Sequence, residues 1–328
     1  MQAQQKKIQK LISFVIPAYE VPTDMLQECI QSIRTLSLSP SEREIILVDD
    51  GSKEPLLTAL GEATDDIVYI RQKNSGVAVA RNTGLKMADA VFVQFVDADD
   101  VLLRTPYEHV IDLIRFNECD MVMYDFTENP SDAATVIFND QHPISGASVL
   151  RLSNIHGSVW GYIFRRSITG SLRFTPGVAY GEDEEFTPQL LLRADSVIVT
   201  NAKAYYYRQR PTSAINRDDI KSLLSRLNNT KSVILGLKHR SGTLPPEERL
   251  AMQRRVAQLT MDYIYNIITI TQNRHYLNRQ LEELRKEGLF PLPDRDYTKK
   301  YKWFRRMTST SIGITILMRT LPILNKER

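Results

Sequence analysis

The chain has 328 residues, of which 42% are hydrophobic and 25% are charged. These near-average proportions exclude collagen-like, disordered and disulfide-scaffold proteins, and the length predicts about two domains. The net charge of +3 conceals an asymmetry: residues 221–328 hold 21 Lys and Arg against 9 Asp and Glu, whereas residues 1–220 hold 21 against 30. The acidic first part argues against nucleic acid as its ligand.

Short apolar runs alternate with helical patterns over the first two-thirds of the chain. The runs predict buried strands at Leu11–Pro17, Ile45–Val48, Ile67–Arg71, Val91–Val96, Met121–Phe126, Ser158–Phe164 and Ser196–Thr200. Helices are predicted around the stripe of Leu26, Ile30 and Ile33 and over Gly76–Met87, Tyr107–Phe116 and Asp183–Arg193. Because this alternation needs crossover connections, the predicted fold class is α/β, with a mostly parallel sheet covered by helices on both faces.

From residue 218 the pattern becomes wholly helical. Ile220, Leu223, Leu224 and Leu227 form an amphipathic stripe, and Ile234 continues it. The predicted organisation is therefore a first domain at residues 1–217 and a basic, all-helical region at residues 218–328.

Two acidic clusters follow predicted strands. Asp49 and Asp50 come after the second strand, and Asp97 and Asp99 come after the fourth. In open α/β sheets ligands bind beyond the carboxyl ends of the strands, so both clusters should face one crevice. Packed carboxylates need a compensating cation, and Mg²⁺ or Mn²⁺ shared with substrate phosphates would supply it. The alternative is that these aspartates only cap the turns that follow them.

A glycine-containing segment, Asn74–Gly84, follows the third predicted strand. Gly76 starts a predicted helix, where backbone N–H groups can bind an anion. Arg81 can pair with a phosphate or, alternatively, form a structural salt bridge to one of the aspartates. The segment matches neither the dinucleotide-binding nor the P-loop glycine pattern, so the sequence gives no support to a Rossmann dehydrogenase or a P-loop NTPase.

Two later segments carry further charged residues. Gly181 is followed by four consecutive acids, and one of them could take the proton from an attacking hydroxyl. The helix dipole alone also favours acids at such a position. After the last predicted strand, Arg208 and Arg210 suit a diphosphate, with an ordinary surface loop as the alternative.

In this order the segments resemble the inverting glycosyltransferases of family 2, which have the GT-A fold, and especially the bacterial enzymes that assemble surface polysaccharides. The matching pieces are Phe14–Tyr19, Val48–Ser52, Asn74–Asn82, Asp97–Asp100, Gly181–Asp183 and Tyr207–Ser213. One departure is Gly161-Tyr162, since such enzymes often carry a lysine shortly after the residue equivalent to Trp160.

The resemblance implies a role for each matched residue. Asp183 would be the catalytic base, and Asp99 would hold a divalent metal, Mn²⁺ or Mg²⁺, on the diphosphate. The residues implied to bind the donor are Pro17, Tyr19, Asp49 or Asp50, Asn74, Gly76, Arg81, Asp97, Arg208 and Arg210. The implied reaction moves a sugar from a nucleoside-diphosphate sugar, with a UDP-sugar favoured, to a hydroxyl of a glycan or lipid-linked acceptor with inversion.

Two other functions remain open from the sequence. A nucleotidyltransferase that activates a sugar phosphate would also be α/β with catalytic carboxylates, although Pro17-Ala18-Tyr19-Glu20 stands where its glycine- and arginine-rich loop would be. A non-catalytic protein that binds a nucleotide sugar is the other alternative. The intact set of acids argues against it.

The C-terminal region combines basic, aromatic and apolar residues. Residues 295–306 interleave six basic residues with four aromatic ones, and the apolar segment Ile312–Leu324 follows. This composition predicts either association with an anionic membrane surface or a helical bundle or homodimer with a solvated basic face. The longest charge-free stretch, Met307–Met318, is 12 residues, against the about 20 needed to span a bilayer. Two cysteines without a disulfide or zinc pattern fit a reducing compartment, so the predicted location is the cytoplasm. If the C-terminal region binds a membrane, the chain would be peripheral on the inner face of the cytoplasmic membrane.

Overall fold

The computed structural model describes residues 9–61, 64–131, 137–209, 219–295 and 297–324. The chain divides into two compact units. The first comprises Met1–Val149 and Asn154–Ser213, and the second comprises Leu150–Ser153 and Ala214–Arg328. The boundary predicted at residue 217 lies outside the described residues.

Four parallel strands form the first half of the sheet in the first unit. They are β1 (Ile12–Ala18), β2 (Arg43–Asp49), β3 (Ile67–Arg71) and β4 (Phe92–Phe95), in the order β3-β2-β1-β4. Helices α1 (Thr23–Arg34), α2 (Leu56–Leu60) and α3 (Val77–Met87) connect them. The predicted stripe of Leu26, Ile30 and Ile33 is the buried face of α1. Parallel pairing follows because each connection crosses over through a helix.

The second half of the sheet is mixed. It contains β5 (Val101–Leu102), β6 (Met121–Thr127), β7 (Tyr162–Arg165) and β8 (Val197–Tyr206), and the order continues β4-β7-β6-β8-β5. Strand β7 runs antiparallel to both neighbours, β5 is antiparallel to β8, and β6 and β8 are parallel. The mostly parallel arrangement therefore holds for the first four strands, while the reversal of β7 was not visible in the strand–helix alternation. Helices α4 (Arg104–Phe116) and α6 (Glu182–Leu191) belong to this half, and α5 (Gly146–Leu152) begins in the first unit and ends in the second.

The carboxyl ends of β1, β2 and β4 lie at one edge of the sheet because these strands are parallel. Pairing between β1 and β4 ends at Val15 and Phe95, whereas β1 continues beside β2 as far as Ala18 and Asp49. Pro17, which lacks an N–H, therefore lies beyond the reach of β4 and leaves no gap in that pairing. The acidic segments after β2 and β4 consequently begin at the same edge.

Close packing of α3 on the sheet depends on Gly84. A Cβ atom there would lie 2.2 Å from Val15 Cγ1 and 3.4 Å from Val48 Cγ2. Valine is stiff about χ1 and cannot swing away. We expect Gly84→Ala to lower the free energy of unfolding by about 1–3 kcal/mol, despite the higher helix propensity of alanine. Urea unfolding measures the change, and unaltered stability would contradict it. Val15→Ala should lower the free energy of unfolding less in the Gly84→Ala variant than in the wild type, because it removes the methyl group that the added Cβ would meet.

The second unit consists of helices in its described part. They are α7 (Ile220–Ser241), α8 (Pro246–Thr271), α9 (Arg274–Lys286), α10 (Lys299–Thr308) and α11 (Ser311–Leu324). Of the predicted stripe on α7, Leu227 and Ile234 are buried, whereas Ile220 and Leu224 are exposed. Asp219, Asn273 and Thr298 cap α7, α9 and α10 by accepting hydrogen bonds from backbone N–H groups. Among the described residues no single helix is long and apolar enough to cross a membrane. Within the described ranges, one pair of helices, α10 and α11, bent by 120°, meets that test of length and composition when taken together.

Candidate active site

Asp49 ends β2 with a fully buried side chain. Its carboxylate accepts hydrogen bonds from the Ser52 N–H at 2.9 Å, the Leu56 N–H at 3.3 Å and the Tyr69 hydroxyl at 2.7 Å. Burial opposes ionisation, but these hydrogen bonds outweigh it and lower the pKa of Asp49. Asp49 therefore holds the turn after β2 and the start of α2 in place.

The neighbouring Asp50 organises the start of α3. Its carboxylate accepts hydrogen bonds from the Gly76 N–H at 2.8 Å, the Ser75 N–H at 3.0 Å and Gln72 Nε2 at 2.7 Å. The Gly76 N–H, expected from the sequence to meet an anion, thus meets a carboxylate of the chain itself. Gly51 permits this approach, since it has φ +80° and a Cβ there would lie 2.6 Å from the Asn74 nitrogen.

Arg81 joins the β4 edge to the start of α6. Its guanidinium is 2.9 Å from Glu182, 2.5 Å from Asp183 and 3.1 Å from Asp97, and its side chain is 4% exposed. The sequence allowed either a phosphate contact or an ion pair with an aspartate, and this structure contains the ion pair. Phe174 lies beneath the guanidinium at 5.5 Å. One buried cation therefore fixes three carboxylates that are far apart in the sequence.

Asp183 lies in the first turn of α6. The helix follows Gly181, whose φ of 83° lies in the left-handed region and sets the direction in which α6 begins. The carboxylate also accepts a hydrogen bond from the Val159 N–H at 3.3 Å. Burial raises the pKa of Asp183, and the charges of Glu182 and Asp97 add to this, while Arg81 and the Val159 hydrogen bond oppose it. A carboxylate with a raised pKa accepts a proton more readily, as a general base must.

The turn after β4 contains two residues predicted as ligands and one that sequence reasoning missed. Asp97 and Asp99 are partly buried, whereas Asp100 is buried and accepts hydrogen bonds from the Tyr205 hydroxyl and the Arg208 N–H, both at 2.8 Å. Burial raises the pKa of Asp100 to about 8, and Asp97 and Asp99 add to the effect. The sequence did contain a signal for Asp100, because it is the third acid in Asp97-Ala98-Asp99-Asp100.

The remaining predicted residues lie around this edge or outside the described chain. Arg208 forms an ion pair with Glu28 on α1, and its guanidinium lies 5.6 Å from the Tyr206 ring. Tyr19, just beyond β1, is 53% exposed, and Asn74, which follows β3, is also exposed. Arg210 lies outside the described residues.

Trp160 belongs to the core of the first unit. Its ring stacks on Tyr205 at 4.4 Å and on Tyr207 at 5.8 Å, and it is 6% exposed. The ring face that Tyr205 covers therefore cannot stack against a sugar ring.

Residues 13–171 match the sequence profile of Glycosyl transferase family 2. This region is a family 2 glycosyltransferase domain. The domain is similar to the uncharacterized glycosyltransferase EpsJ of Bacillus subtilis, 30% identical over 62% of this chain and 62% of EpsJ. It is also similar to the poly(ribitol-phosphate) beta-N-acetylglucosaminyltransferase TarP of Staphylococcus aureus, 24% identical over 60% of this chain and 62% of TarP. The chain thus spans less than two-thirds of each relative's length.

Solved structures extend the likeness in fold beyond the family 2 domain. S. aureus TarS 1-349, solved with UDP-GlcNAc, has a TM-score of 0.64 at 17% identity and covers 97% of this chain and 92% of that chain. The mannosyltransferase PcManGT of Pyrobaculum calidifontis, solved with GDP-Man and Mn²⁺, has a TM-score of 0.57 at 15% identity and covers 97% and 88%. The fold is therefore GT-A with a C-terminal helical region, as predicted. The last sequence segment that carries the family resemblance ends at Ser213, whereas the likeness in fold continues past it.

Proposed function

We propose that this chain is an inverting glycosyltransferase that moves a hexose-type sugar from a nucleoside-diphosphate sugar to an acceptor hydroxyl during bacterial cell-surface polysaccharide synthesis. One observation carries the proposal: Arg81 holds Asp183 and Asp97 at the edge where the parallel strands end. A candidate base thus lies beside the edge at which open α/β sheets bind ligands. The family 2 match and the activity in the name of TarP support this reading.

The donor would lie along the carboxyl edge of the sheet. One of the two carboxylates after β2 would contact the nucleotide base of the donor. We assign this contact to Asp50, since Asp49 has no exposed side-chain surface. We assign the other donor contacts to Pro17, Tyr19, Asn74, Asp97, Arg208 and Arg210. Gly76, whose N–H already binds Asp50, would position that carboxylate for the donor. We favour a UDP-sugar as the donor, since TarS, which was solved with UDP-GlcNAc, has a higher TM-score than PcManGT, which was solved with GDP-Man.

The turn after β4 offers donors that suit a divalent cation. Asp97 and Asp99 present carboxylate oxygens, the ligands that Mg²⁺ and Mn²⁺ prefer. In the part of the chain that the structure describes, no three His, Cys, Asp or Glu residues form a metal cluster. Two carboxylates nevertheless fit an ion whose other ligands are diphosphate oxygens. Asp99 would hold the ion, Asp97 would assist, and the ion would neutralise charge that develops on the leaving diphosphate.

The residues of the chain divide the transfer step between them. Asp183 takes the proton of the acceptor hydroxyl while the acceptor oxygen bonds to the anomeric carbon. The bond from that carbon to the nucleoside diphosphate breaks on the opposite face. Arg81 keeps Asp183 oriented. Arg208, released from Glu28, would meet the diphosphate, where a guanidinium can bind two oxygens at once.

A product assay separates this function from nucleotidyl transfer. The full chain would be incubated with Mn²⁺, a panel of UDP-, GDP- and dTDP-sugars and surface-polysaccharide fragments as acceptors. We expect release of nucleoside diphosphate that depends on the acceptor, with an inverted anomeric configuration in the product. Pyrophosphate formed from a nucleoside triphosphate and a sugar phosphate would establish the alternative instead. Retention of configuration would contradict the proposed single displacement.

Binding of metal and nucleotide should depend on each other through Asp99. A ligand that binds only the folded state raises the melting temperature according to its concentration and affinity. With wild-type protein we expect a larger shift for UDP with Mn²⁺ than for UDP with EDTA. Asp99→Asn should lose the Mn²⁺-dependent part, and Asp112→Asn, an exposed aspartate on α4, should keep it. Equal shifts with Mn²⁺ and EDTA in the wild type would contradict a metal at this site.

A further inference from the structure

Helices α10 and α11 each present one face outward from the second unit. In α10 the buried residues are Tyr301, Phe304 and Thr308, and in α11 they are Gly313, Ile314, Leu317 and Leu321. Both helices pack against α8. The opposite face of each helix therefore points away from α8. We call these two faces together the outer stripe.

The outer stripe of α11 is apolar where a solvated helix would be polar. Ile312, Ile316 and Ile323 are 77%, 45% and 62% exposed, and with Arg319 they fall within about 60° of one another on a helix of 3.6 residues per turn. A water-exposed face normally carries polar residues opposite the buried ones. An exposed isoleucine stripe of this kind indicates a surface that another phase or molecule covers.

The outer stripe of α10 is basic and aromatic. Lys299, Trp303 and Arg306 follow one another at helical spacing, opposite the buried face, and Trp303 is 49% exposed. Arg274 at the start of α9 adds another cation, because its guanidinium donates hydrogen bonds at 3.3 Å to the hydroxyls of Thr315 and Ser311. Residues 297–324 contain no Asp or Glu.

We propose that the outer stripe binds the surface of an anionic lipid bilayer, with the isoleucines in the acyl boundary and the cations at the phosphates. The positive charge and the apolar side chains of the outer stripe together favour a bilayer over other partners. A second copy of the chain would place Arg319, Lys299 and Arg306 against like charges with no acid on the stripe to pair with them. An acidic soluble partner would satisfy the cations but leave the isoleucines against a polar surface.

The bilayer accounts for each feature of the outer stripe. Tryptophan prefers the membrane interface, and arginine and lysine can bury their stems while their charges reach the headgroups. Each cation near an anionic surface strengthens binding by about fivefold, which corresponds to about 1 kcal/mol. An amphipathic helix too short to span the bilayer can lie in its plane.

Vesicle co-sedimentation of the full chain tests the proposal. We expect the wild type to pellet with vesicles of phosphatidylglycerol and phosphatidylcholine, but not with phosphatidylcholine alone. Binding should weaken in 1 M salt, where the Debye length is about 3 Å. The double variant Lys299→Gln/Arg306→Gln should lose about 25-fold in affinity at low salt.

Matched substitutions separate the apolar stripe from general surface effects. Ile312→Asp/Ile316→Asp should weaken binding at least about tenfold, since aspartate forfeits the burial of two side chains and adds repulsion. Ile220→Asp is the control, because Ile220 is 75% exposed on α7 and lies off the stripe. The melting temperature of each variant checks that it folds.

Fluorescence reports whether the stripe itself enters the interface. The chain has two tryptophans, and Trp160 is buried, so a blue shift with anionic vesicles would come from Trp303. Absence of co-sedimentation with phosphatidylglycerol vesicles would overturn the proposal, as would unchanged binding of Ile312→Asp/Ile316→Asp. Sedimentation equilibrium without lipid gives a third outcome: a wild-type dimer that this variant dissociates would identify a subunit interface and overturn the membrane surface.

Discussion

Replacement of Asp183 by asparagine should slow sugar transfer by about 10²- to 10⁴-fold, the usual contribution of a general base. Asparagine keeps the shape of the side chain and can stay beside Arg81 and the Val159 N–H, but it cannot accept the proton of the attacking hydroxyl. The thermal shift caused by UDP and Mn²⁺ should remain, since the proposed donor contacts lie on other residues. Initial rates of nucleoside diphosphate release measure the first effect.

Glu182→Gln is the matched control for this experiment. Glu182 lies next to Asp183 and contacts the same Arg81 nitrogen, so its replacement removes one charge from the same cluster. A base role for Asp183 predicts a much smaller loss in Glu182→Gln. The reverse pattern, with Asp183→Asn near the wild-type rate, would transfer the role of base to Glu182.

The pH profile of the wild type should carry the same signature. Burial raises the pKa of Asp183 in the folded protein above the ordinary aspartate value of about 4. The active carboxylate form therefore disappears at a higher pH than usual as the solution is acidified, and kcat/KM should fall on the acidic side. The residual activity of Asp183→Asn should lack that limb. An identical acidic limb in this variant would assign the titration to another group.

Replacement of Arg81 by methionine should cost about 3 kcal/mol of stability or more, since removal of one partner leaves buried charge unpaired. Methionine fills similar space, so the loss reports charge rather than a cavity. The side chains of Glu182 and Asp183 are only 12% and 18% exposed, so water can solvate little of their negative charge once Arg81 is removed. Arg115→Met, which breaks a more exposed pair with Glu42, should cost less, about 1 kcal/mol.

The loss of unfolding free energy in Arg81→Met should be smaller at mildly acidic pH. In the wild type Arg81 lowers the pKa of Asp183 against the effect of burial, so its removal raises that pKa further. A carboxyl whose folded pKa lies above its unfolded pKa stabilises the fold when protonated, and this contribution is lost as the pH rises through the folded value. The difference in unfolding free energy from the wild type should therefore be larger at neutral pH than at mildly acidic pH. An equal difference at both would contradict the electrostatic origin.

The local sequence determined much of the first unit. Runs such as Ile67–Arg71 carry their own β-branched composition and bounding turns, so the strand and its ends were predicted correctly. The stripe of Leu26, Ile30 and Ile33 defined the buried face of α1 for the same reason. The acids after β2 and β4 could be placed at one edge because helical crossovers impose parallel strands. These predictions needed only periodicity and short spacings.

Only the tertiary structure decided which partner each charged residue takes. Arg81 and Asp183 are 102 positions apart, and Asp100 and Tyr205 are 105 apart. Such pairs form when strands from distant segments align, and the direction of β7 between β4 and β6 depends on the same non-local pairing. The exposed isoleucines of α11 likewise emerged only when packing against α8 fixed which face is inside. Spacing along the chain specifies the face on which a residue lies, but the free energy of burial and ion pairing, summed over distant segments, decides what that face meets.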